Sequence, residues 1–178
     1  MSTLQFRIAT PEDAPQLQQL IEAAFRSEDS RKDWTADMAL GRNFSMSLDS
    51  IVAKINGEDS DVLIADAGAD KCVACVAAFF RRADGMARFA FLSIDQRYQR
   101  GGAGRKVLAH AEDYGRRTWG AGKAGLNAVS TRRELIAWYG RCGYRETGET
   151  SPFPIEAFPM LDLPKDLCFV EMEKDLAA

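Results

Sequence analysis

The chain has 178 residues, of which 46% are hydrophobic and 28% are charged, and its formal net charge is −3. This composition is typical of one globular domain with a sizeable core, over residues 1–178, and excludes a largely disordered chain. The absence of a basic block argues against nucleic acid or an anionic membrane surface as the main partner. Because the sequence has neither a membrane-span pattern nor a signal-peptide pattern, we expect a cytoplasmic protein.

The first third of the sequence predicts a strand followed by helices. Leu4, Phe6 and Ile8 alternate as they would on a strand, and Thr10 with Asp13 forms a capping-box pattern that opens a helix. The next stretch is polar and less readable, although Trp34, Met38 and Leu40 fit one side of a short helix. A further helical segment is indicated by apolar residues at helical spacing, namely Leu48, Ile51, Val52 and Ile55.

Three short strands joined by tight turns follow, over residues 62–65, 72–80 and 86–94. Short connections of this kind predict antiparallel hairpins. The middle strand contains Cys72 and Cys75, which have the spacing of a metal or redox motif. Strand alternation would place them on opposite faces, and no second cysteine or histidine pair completes a zinc site. We therefore expect buried free thiols and no metal.

A glycine-rich turn over residues 99–105 separates the third of these strands from a helix. Val107, Leu108 and Ala111 mark that helix by their spacing. The free backbone N–H groups at a helix start and the helix dipole favour an anion, above all a phosphate. Glycines in the turn allow a ligand to approach the backbone closely, because no Cβ blocks it.

The spacing within this turn distinguishes between phosphate-binding motifs. A Walker loop requires lysine after its last glycine, and Arg105 follows Gly104 here. A dinucleotide fingerprint requires a third glycine where Val107 stands. The remaining pattern, Q-x-x-G-x-G with Gln99, Gly102 and Gly104, resembles the acyl-CoA pyrophosphate loop of the GNAT superfamily of N-acetyltransferases. A glycine-rich turn that binds no ligand stays open as the alternative.

The last third of the sequence predicts a strand, a helix and two terminal strands. The strand covers residues 124–129, and a T-x-x-E capping-box pattern at Thr131 and Glu134 opens a helix that Gly143 ends. Between the terminal strands, residues 151–165 contain four prolines and several large apolar side chains. That segment predicts either an ordered flap or a structural clasp.

The complete order, β-α-α-β-β-β-α-β-α-β-β, is similar to the GNAT fold across nearly the whole chain. The resemblance implies an α/β (α+β) fold with a mixed, mostly antiparallel twisted sheet of about seven strands flanked by about four helices. A second motif supports it, because Tyr139 precedes Gly143 and Tyr144 in the GNAT pattern Y-x-x-x-G-[FY].

The resemblance also implies where acetyl-CoA would bind. The co-substrate would lie between two splayed parallel strands, residues 89–94 and 124–129, with Tyr139 as general acid for the leaving thiolate. A backbone N–H at residues 92–94 would stabilise the oxyanion. The alternative for Tyr139 is a packed core side chain. The implied co-substrate-binding residues are Leu92, Ser93, Ile94, Gln99, Arg100, Gly101, Gly102, Ala103, Gly104, Arg105 and Arg132.

The implied activity is transfer of an acetyl group from acetyl-CoA to a primary amine of a small-molecule or peptide acceptor, by direct attack in a ternary complex. No general base is evident: Glu28, Asp29 or Asp33 could sit by the acceptor, but a solvated loop explains them more simply. In addition, many members of the superfamily have an asparagine near the start of the last helix, where this sequence has Arg132. Both departures favour the alternative, a non-catalytic acyl-CoA-binding sensor or interaction module. Homodimers are common in the superfamily, but nothing in the sequence requires one.

Overall fold

The computed structural model describes residues 3–26 and 45–176. Its strands form one seven-stranded sheet in the order β1-β2-β3-β4-β5-β7-β6. Only β4 and β5 run parallel to each other, and all other neighbours are antiparallel. The strands are β1 (Leu4–Ile8), β2 (Ser60–Ala67), β3 (Asp70–Arg81), β4 (Met86–Ile94), β5 (Lys123–Val129), β6 (Arg145–Pro152) and β7 (Cys168–Asp175).

Four helices of the described residues accompany the sheet: α1 (Ala14–Arg26), α2 (Leu48–Asn56), α3 (Ala103–Trp119) and α4 (Arg133–Arg141). The predicted order of strands and helices and the GNAT-like, mostly antiparallel sheet are therefore confirmed. The short helix predicted around Trp34 and Met38 lies outside the described residues, as do Glu28, Asp29 and Asp33. In the described part of the chain, no helix has both the length and the apolar character needed to cross a membrane.

The sheet separates two hydrophobic clusters, one on each face. On one face α3 packs through buried Val107 and Leu108 against the central strands, and side chains of α4 join the same cluster. On the other face α1 and α2 pack through buried Leu17 and Ile51. The apolar helix faces predicted from helical spacing therefore pack on opposite faces of one sheet. The ends of β4 and β5 lie between these two layers of helices.

Two local predictions about helix ends have different outcomes. At the first helix, the Asp13 carboxylate accepts the backbone N–H of Thr10 at 2.8 Å, which confirms the capping box. The Thr131–Glu134 capping box is wrong, because α4 has Arg132 at its N-cap without a side-chain cap. The N–H of Arg132 donates to the Val129 carbonyl at 2.9 Å and closes a turn before the helix. The N-cap is therefore Arg132, one residue after the predicted Thr131.

The cysteine pair is free and buried, as predicted, but its geometry differs from the expected one. Cys72 and Cys75 both pack in the cluster beneath α1 and α2, whereas alternation predicted opposite faces. Cys72 has a left-handed backbone, with φ of 55°, and its N–H donates to the Asp66 carboxylate at 2.8 Å. This turn at the start of β3 breaks the alternation. Burial raises the pKa of the Cys72 thiol to about 12, so the thiol stays protonated.

Residues between β6 and β7 form a third apolar cluster. Buried Phe153, Leu163 and Leu167 form its centre. Phe169 of β7 and Val129, the last residue of β5, pack against it. The cluster therefore lies beside the end of β5. Whether residues 151–165 form a flap over a site stays a prediction.

A charged cluster ties β1 to β2 and to the start of the first helix. The Arg7 guanidinium donates to Asp66 at 2.8 Å and to Asp13 at 2.9 Å. Burial raises the pKa of Asp66, but hydrogen bonds from Arg7 and from the Cys72 N–H outweigh it, and the net pKa lies below 3.8. The Asp66 carboxylate is thus ionised and paired at neutral pH.

Replacing Asp66 with alanine should destabilise the fold by about 1–3 kcal/mol, because it leaves the buried Cys72 N–H without its acceptor and Arg7 with Asp13 as its remaining partner. The exposed Arg81–Asp84 pair supplies the control, and Asp84→Ala should change the free energy of unfolding by less than about 0.5 kcal/mol. Since the folded pKa of Asp66 is depressed, its contribution is complete above pH 3.8 and is lost as pH falls through the folded pKa. Urea unfolding at neutral and acidic pH measures both effects; equal losses in the two variants would contradict the assignment.

Candidate functional site

A cleft opens where the two parallel strands separate. β4 and β5 pair over three residue pairs, from Met86 opposite Lys123 to Arg88 opposite Gly125. Beyond this point β4 continues to Ile94 and β5 continues to Val129 without pairing to each other. The strands therefore form a fork whose closed end is at Arg88 and Gly125. The resemblance predicted that residues 89–94 and 124–129 separate, and in the structure residues 124 and 125 are still paired with β4.

The open arm of the fork on β4 contains a β-bulge. Ala90 lies opposite Ala77 of β3, whereas Ser93 lies opposite Cys75, so Phe91 and Leu92 share one position of the partner strand. Phe91 has φ of 58°, an uncommon value for a bulky residue. A bulge bends the strand and changes the direction of its backbone, so the ladder is locally altered at Phe91 and Leu92, at the mouth of the fork.

The bulge reverses which residues of β4 face α3. Before it, Phe89 packs in the cluster beneath α3, and after it Leu92 and Ile94 do so. Phe91 points to the other face, where its ring meets Phe25 edge to face. Ser93 is buried, and its hydroxyl donates to the Phe91 carbonyl at 3.0 Å, which fixes the distorted backbone.

A tight turn connects β4 to α3. The side chain of Gln99 donates to the Ile94 carbonyl at 3.2 Å, which closes the turn. Arg100 and Gly102 adopt left-handed backbones, with φ of 68° and 79°. The first bond within α3 runs from the Lys106 N–H to the Gly102 carbonyl at 3.1 Å. The N–H groups of residues 103–105 consequently have no acceptor inside the helix and are disposed to bind an anion.

Two contacts fix this turn against its surroundings. The Tyr98 hydroxyl donates to Asp70 of β3 at 2.5 Å. The Asp95 N–H donates to the Val73 carbonyl at 2.8 Å. The turn is thus held at the start of β3, close to left-handed Cys72. All three non-glycine residues with left-handed backbones in the described ranges lie near this end of the sheet: Cys72, Phe91 and Arg100. Such strain concentrates at functional sites.

Side chains of the predicted binding residues take different directions. The Arg105 guanidinium donates to the Arg141 carbonyl at 3.3 Å, so it caps the end of α4. Arg132 lies at the N-cap of α4, close enough to Tyr139 to lower its pKa by electrostatic attraction. Gly104 lies against Trp138, since a Cβ on it would be 3.4 Å from the indole ring. The start of α3 therefore meets α4 directly.

Tyr139 lies inside the cluster between the sheet and helices α3 and α4. Only 7% of its surface is exposed, and Tyr144 packs against its ring at 6.0 Å. Burial raises the pKa of Tyr139 to about 12, with a smaller opposing effect of Arg132. The phenol is therefore protonated at neutral pH and is chemically able to donate a proton, although its burial is equally that of a core residue.

The bulge at Phe91 is the main site feature that sequence reasoning missed. The run from Met86 to Ile94 is apolar on both faces of the strand, so no interruption of alternation signals an extra residue. A polar cluster beneath the fork, formed by Arg88, Asn127, Ser151 and Glu171, was also missed. Its members come from four strands, and only the assembled sheet brings them together. Among the described residues, no three His, Cys, Asp or Glu side chains are grouped as metal ligands.

A parallel fork within an antiparallel sheet, with a glycine turn leading from it to a helix, defines an acetyltransferase of the GNAT type. The model of the acetyltransferase (GNAT) family matches residues 15–144. This is more than half of the chain, and the protein therefore belongs to that family. Comparison with curated proteins gives no match.

Solved structures of several N-acetyltransferases have the same fold. The ribosomal-protein-S18-alanine N-acetyltransferase of Escherichia coli is 16% identical, with a TM-score of 0.72 over 99% of this chain and 96% of that one. A spermidine N-acetyltransferase chimera of Vibrio cholerae SpeG and hSSAT is 15% identical, with a TM-score of 0.68 over 98% and 96%. The IAA acetyltransferase of Bacillus cereus is 14% identical, with a TM-score of 0.68 over 98% and 100%. At these identities the similarity shows the fold alone.

Proposed function

We propose that this protein transfers an acetyl group from acetyl-CoA to a primary amine by direct attack in a ternary complex. The fork between β4 and β5 is the observation that carries the proposal, because it opens a cleft whose mouth holds the Phe91 bulge. The Gly102 turn follows β4 after one short 3-10 helix, Gln96–Tyr98, and precedes the N–H groups that begin α3. An acyl-CoA requires this combination: an anion site for its pyrophosphate and a narrow cleft for its acyl arm.

Each part of the site has a proposed role. Acetyl-CoA supplies an activated thioester when it is bound. The backbone N–H groups of residues 100–105 hold the pyrophosphate, and backbone groups of Leu92, Ser93 and Ile94 hold the pantetheine arm. A backbone N–H of the same β4 segment donates to the carbonyl oxygen as negative charge develops there. Tyr139 donates a proton to the departing sulfur, and Arg132 adds positive charge beside it.

The first test is a thermal-shift titration of the wild-type chain with acetyl-CoA, using ATP and NAD as controls. A ligand at 100 times its dissociation constant stabilises the fold by about 2.7 kcal/mol. For a chain of this length each kcal/mol raises the melting temperature by about 2–4 °C, so the expected rise is about 5–11 °C. A rise with acetyl-CoA alone is the expected result, and no rise with any of the three would overturn the proposal.

An acetyl-transfer assay then distinguishes the enzyme from a sensor. The amine panel should include a peptide with N-terminal alanine and a polyamine, because the structural neighbours named above act on such acceptors. Release of free CoA with one class of amine supports catalysis. Tight acetyl-CoA binding without transfer to any amine would instead support a non-catalytic acyl-CoA-binding module.

A further inference from the structure

A group of polar side chains lies beneath the fork, on the sheet face opposite α3. Arg88 is the last β4 residue paired with β5, and its guanidinium donates to Glu171 of β7 at 2.9 Å. Because β5 lies between β4 and β7 in the sheet, the Arg88 side chain must cross β5 to reach its partner. The crossing point coincides with the closed end of the fork.

This crossing depends on a glycine. Gly125 is the β5 residue opposite Arg88, and it is buried. A Cβ on Gly125 would lie 2.3 Å from the Met86 sulfur and 3.0 Å from Nη1 of Arg88. A Cβ at position 125 would therefore push the Met86 side chain aside, and a larger side chain would also occupy the path of the guanidinium over the strand.

Glu171 is held by three strands besides its own. One carboxylate oxygen accepts from Asn127 of β5 at 3.2 Å and from Ser151 of β6 at 2.8 Å, while the other accepts from Arg88 of β4. Burial raises the pKa of Glu171, but the hydrogen bonds from Asn127, Arg88 and Ser151 outweigh it, and the net pKa is lowered. The carboxylate is thus a fixed anchor for Arg88 rather than a free base.

We propose that Arg88 and Glu171 are positioning residues that fix the point at which β4 and β5 separate, and so set the width of the acyl cleft. Beyond Arg88 the two strands do not pair with each other, so the last pair at the closed end determines how far they diverge. When the ion pair is lost, the point at which β4 and β5 separate moves back toward Met86. The cleft then widens, and the Phe91 bulge moves away from β5. This inference rests on the proposed acetyl-CoA site.

The test compares Arg88→Met with Arg145→Met. Arg145 of β6 donates to Glu173 of β7 at 3.0 Å and lies 3.6 Å from Asp175 of β7, so this control removes an ion pair of the neighbouring strand pair. In Arg88→Met we expect amide hydrogen exchange over residues 86–90 and 123–127 to accelerate by about tenfold or more, with unchanged exchange in Arg145→Met. Acetyl-CoA affinity should fall by about tenfold, kcat should fall further, and Arg88→Lys should restore part of both.

A second variant separates geometry from charge. Gly125→Val retains both charges but blocks the crossing, and it should reproduce the exchange and affinity changes of Arg88→Met. Both variants are measured well below their melting temperatures, so that global unfolding does not contribute to the faster exchange or to the weaker binding. Wild-type exchange and affinity in Arg88→Met or Gly125→Val would overturn the inference and leave the proposed function intact. Failure of the wild type to bind acetyl-CoA would overturn the proposed function. In that case amide hydrogen exchange in Arg88→Met would still test the role of Arg88 at the fork.

Discussion

Replacing Gly102 with glutamate is expected to weaken acetyl-CoA binding by about 100-fold or more. Gly102 precedes the first turn of α3, and its surroundings are open, since a Cβ there would meet nothing within 4 Å. A carboxylate at this position stands where the pyrophosphate is proposed to bind. Repulsion between like charges and the loss of one or two charge-assisted hydrogen bonds together cost about 3 kcal/mol or more, and about 2.8 kcal/mol corresponds to 100-fold.

The matched control is Gly120→Glu at the other end of the same helix. Gly120 also has a left-handed backbone, with φ of 65° against 79° at Gly102, and it is equally open. Both substitutions therefore carry a similar backbone strain of about 1–2 kcal/mol and the same change of charge. Calorimetric titration with acetyl-CoA should show a loss only in Gly102→Glu. Equal affinities in the two variants would refute the assignment of the turn.

Tyr139→Phe is expected to lower kcat by about 100-fold while leaving acetyl-CoA affinity close to that of the wild type. The substitution removes the proposed proton donor and retains the buried ring, and general acid catalysis contributes about 10²–10⁴-fold. Because burial raises the pKa of Tyr139 to about 12, the donor remains protonated above the ordinary tyrosine value of 10.0. Its contribution should therefore persist as pH rises past that value and disappear only near pH 12.

Tyr144→Phe is the control for this measurement. Tyr144 is buried in the same cluster and packs edge to face against Tyr139, but its hydroxyl donates to Glu112 at 2.8 Å. Removing that hydroxyl should lower the free energy of unfolding by about 1–2 kcal/mol and leave kcat unchanged. Steady-state kinetics and melting curves of both variants separate the two roles. A wild-type rate in Tyr139→Phe would show that Tyr139 is a packed core side chain and not the proton donor.

Sequence reasoning succeeded where local chemistry determines structure. Helical spacing, the Thr10–Asp13 capping box and the glycine after β4 depend on residues close together in the chain, and each is found as predicted. The splayed pair of strands was predicted through family resemblance, since no periodicity distinguishes a fork from a continuous pair.

The failures arise where distant strands decide the outcome. Cys72 leaves its expected face because a left-handed backbone lets its N–H reach Asp66 on the neighbouring strand. Phe91 sits in an apolar run that gives no sign of a bulge. The Arg88–Glu171 ion pair joins residues 83 positions apart, and neither has a local neighbour that marks it.

The left-handed backbone of Phe91 also bears on how this protein tolerates stabilisation. Such a conformation costs a bulky residue about 1–3 kcal/mol, and glycine would relieve most of it. The same substitution would remove the ring that packs against Phe25 and release the one stretch of β4 whose rigidity the proposed chemistry requires. Loss of a packed phenylalanine ring costs about 3–5 kcal/mol, which outweighs the strain that glycine would relieve. The ring therefore holds the strained backbone in place, and a library sorted only for stability should retain a large apolar residue at this position.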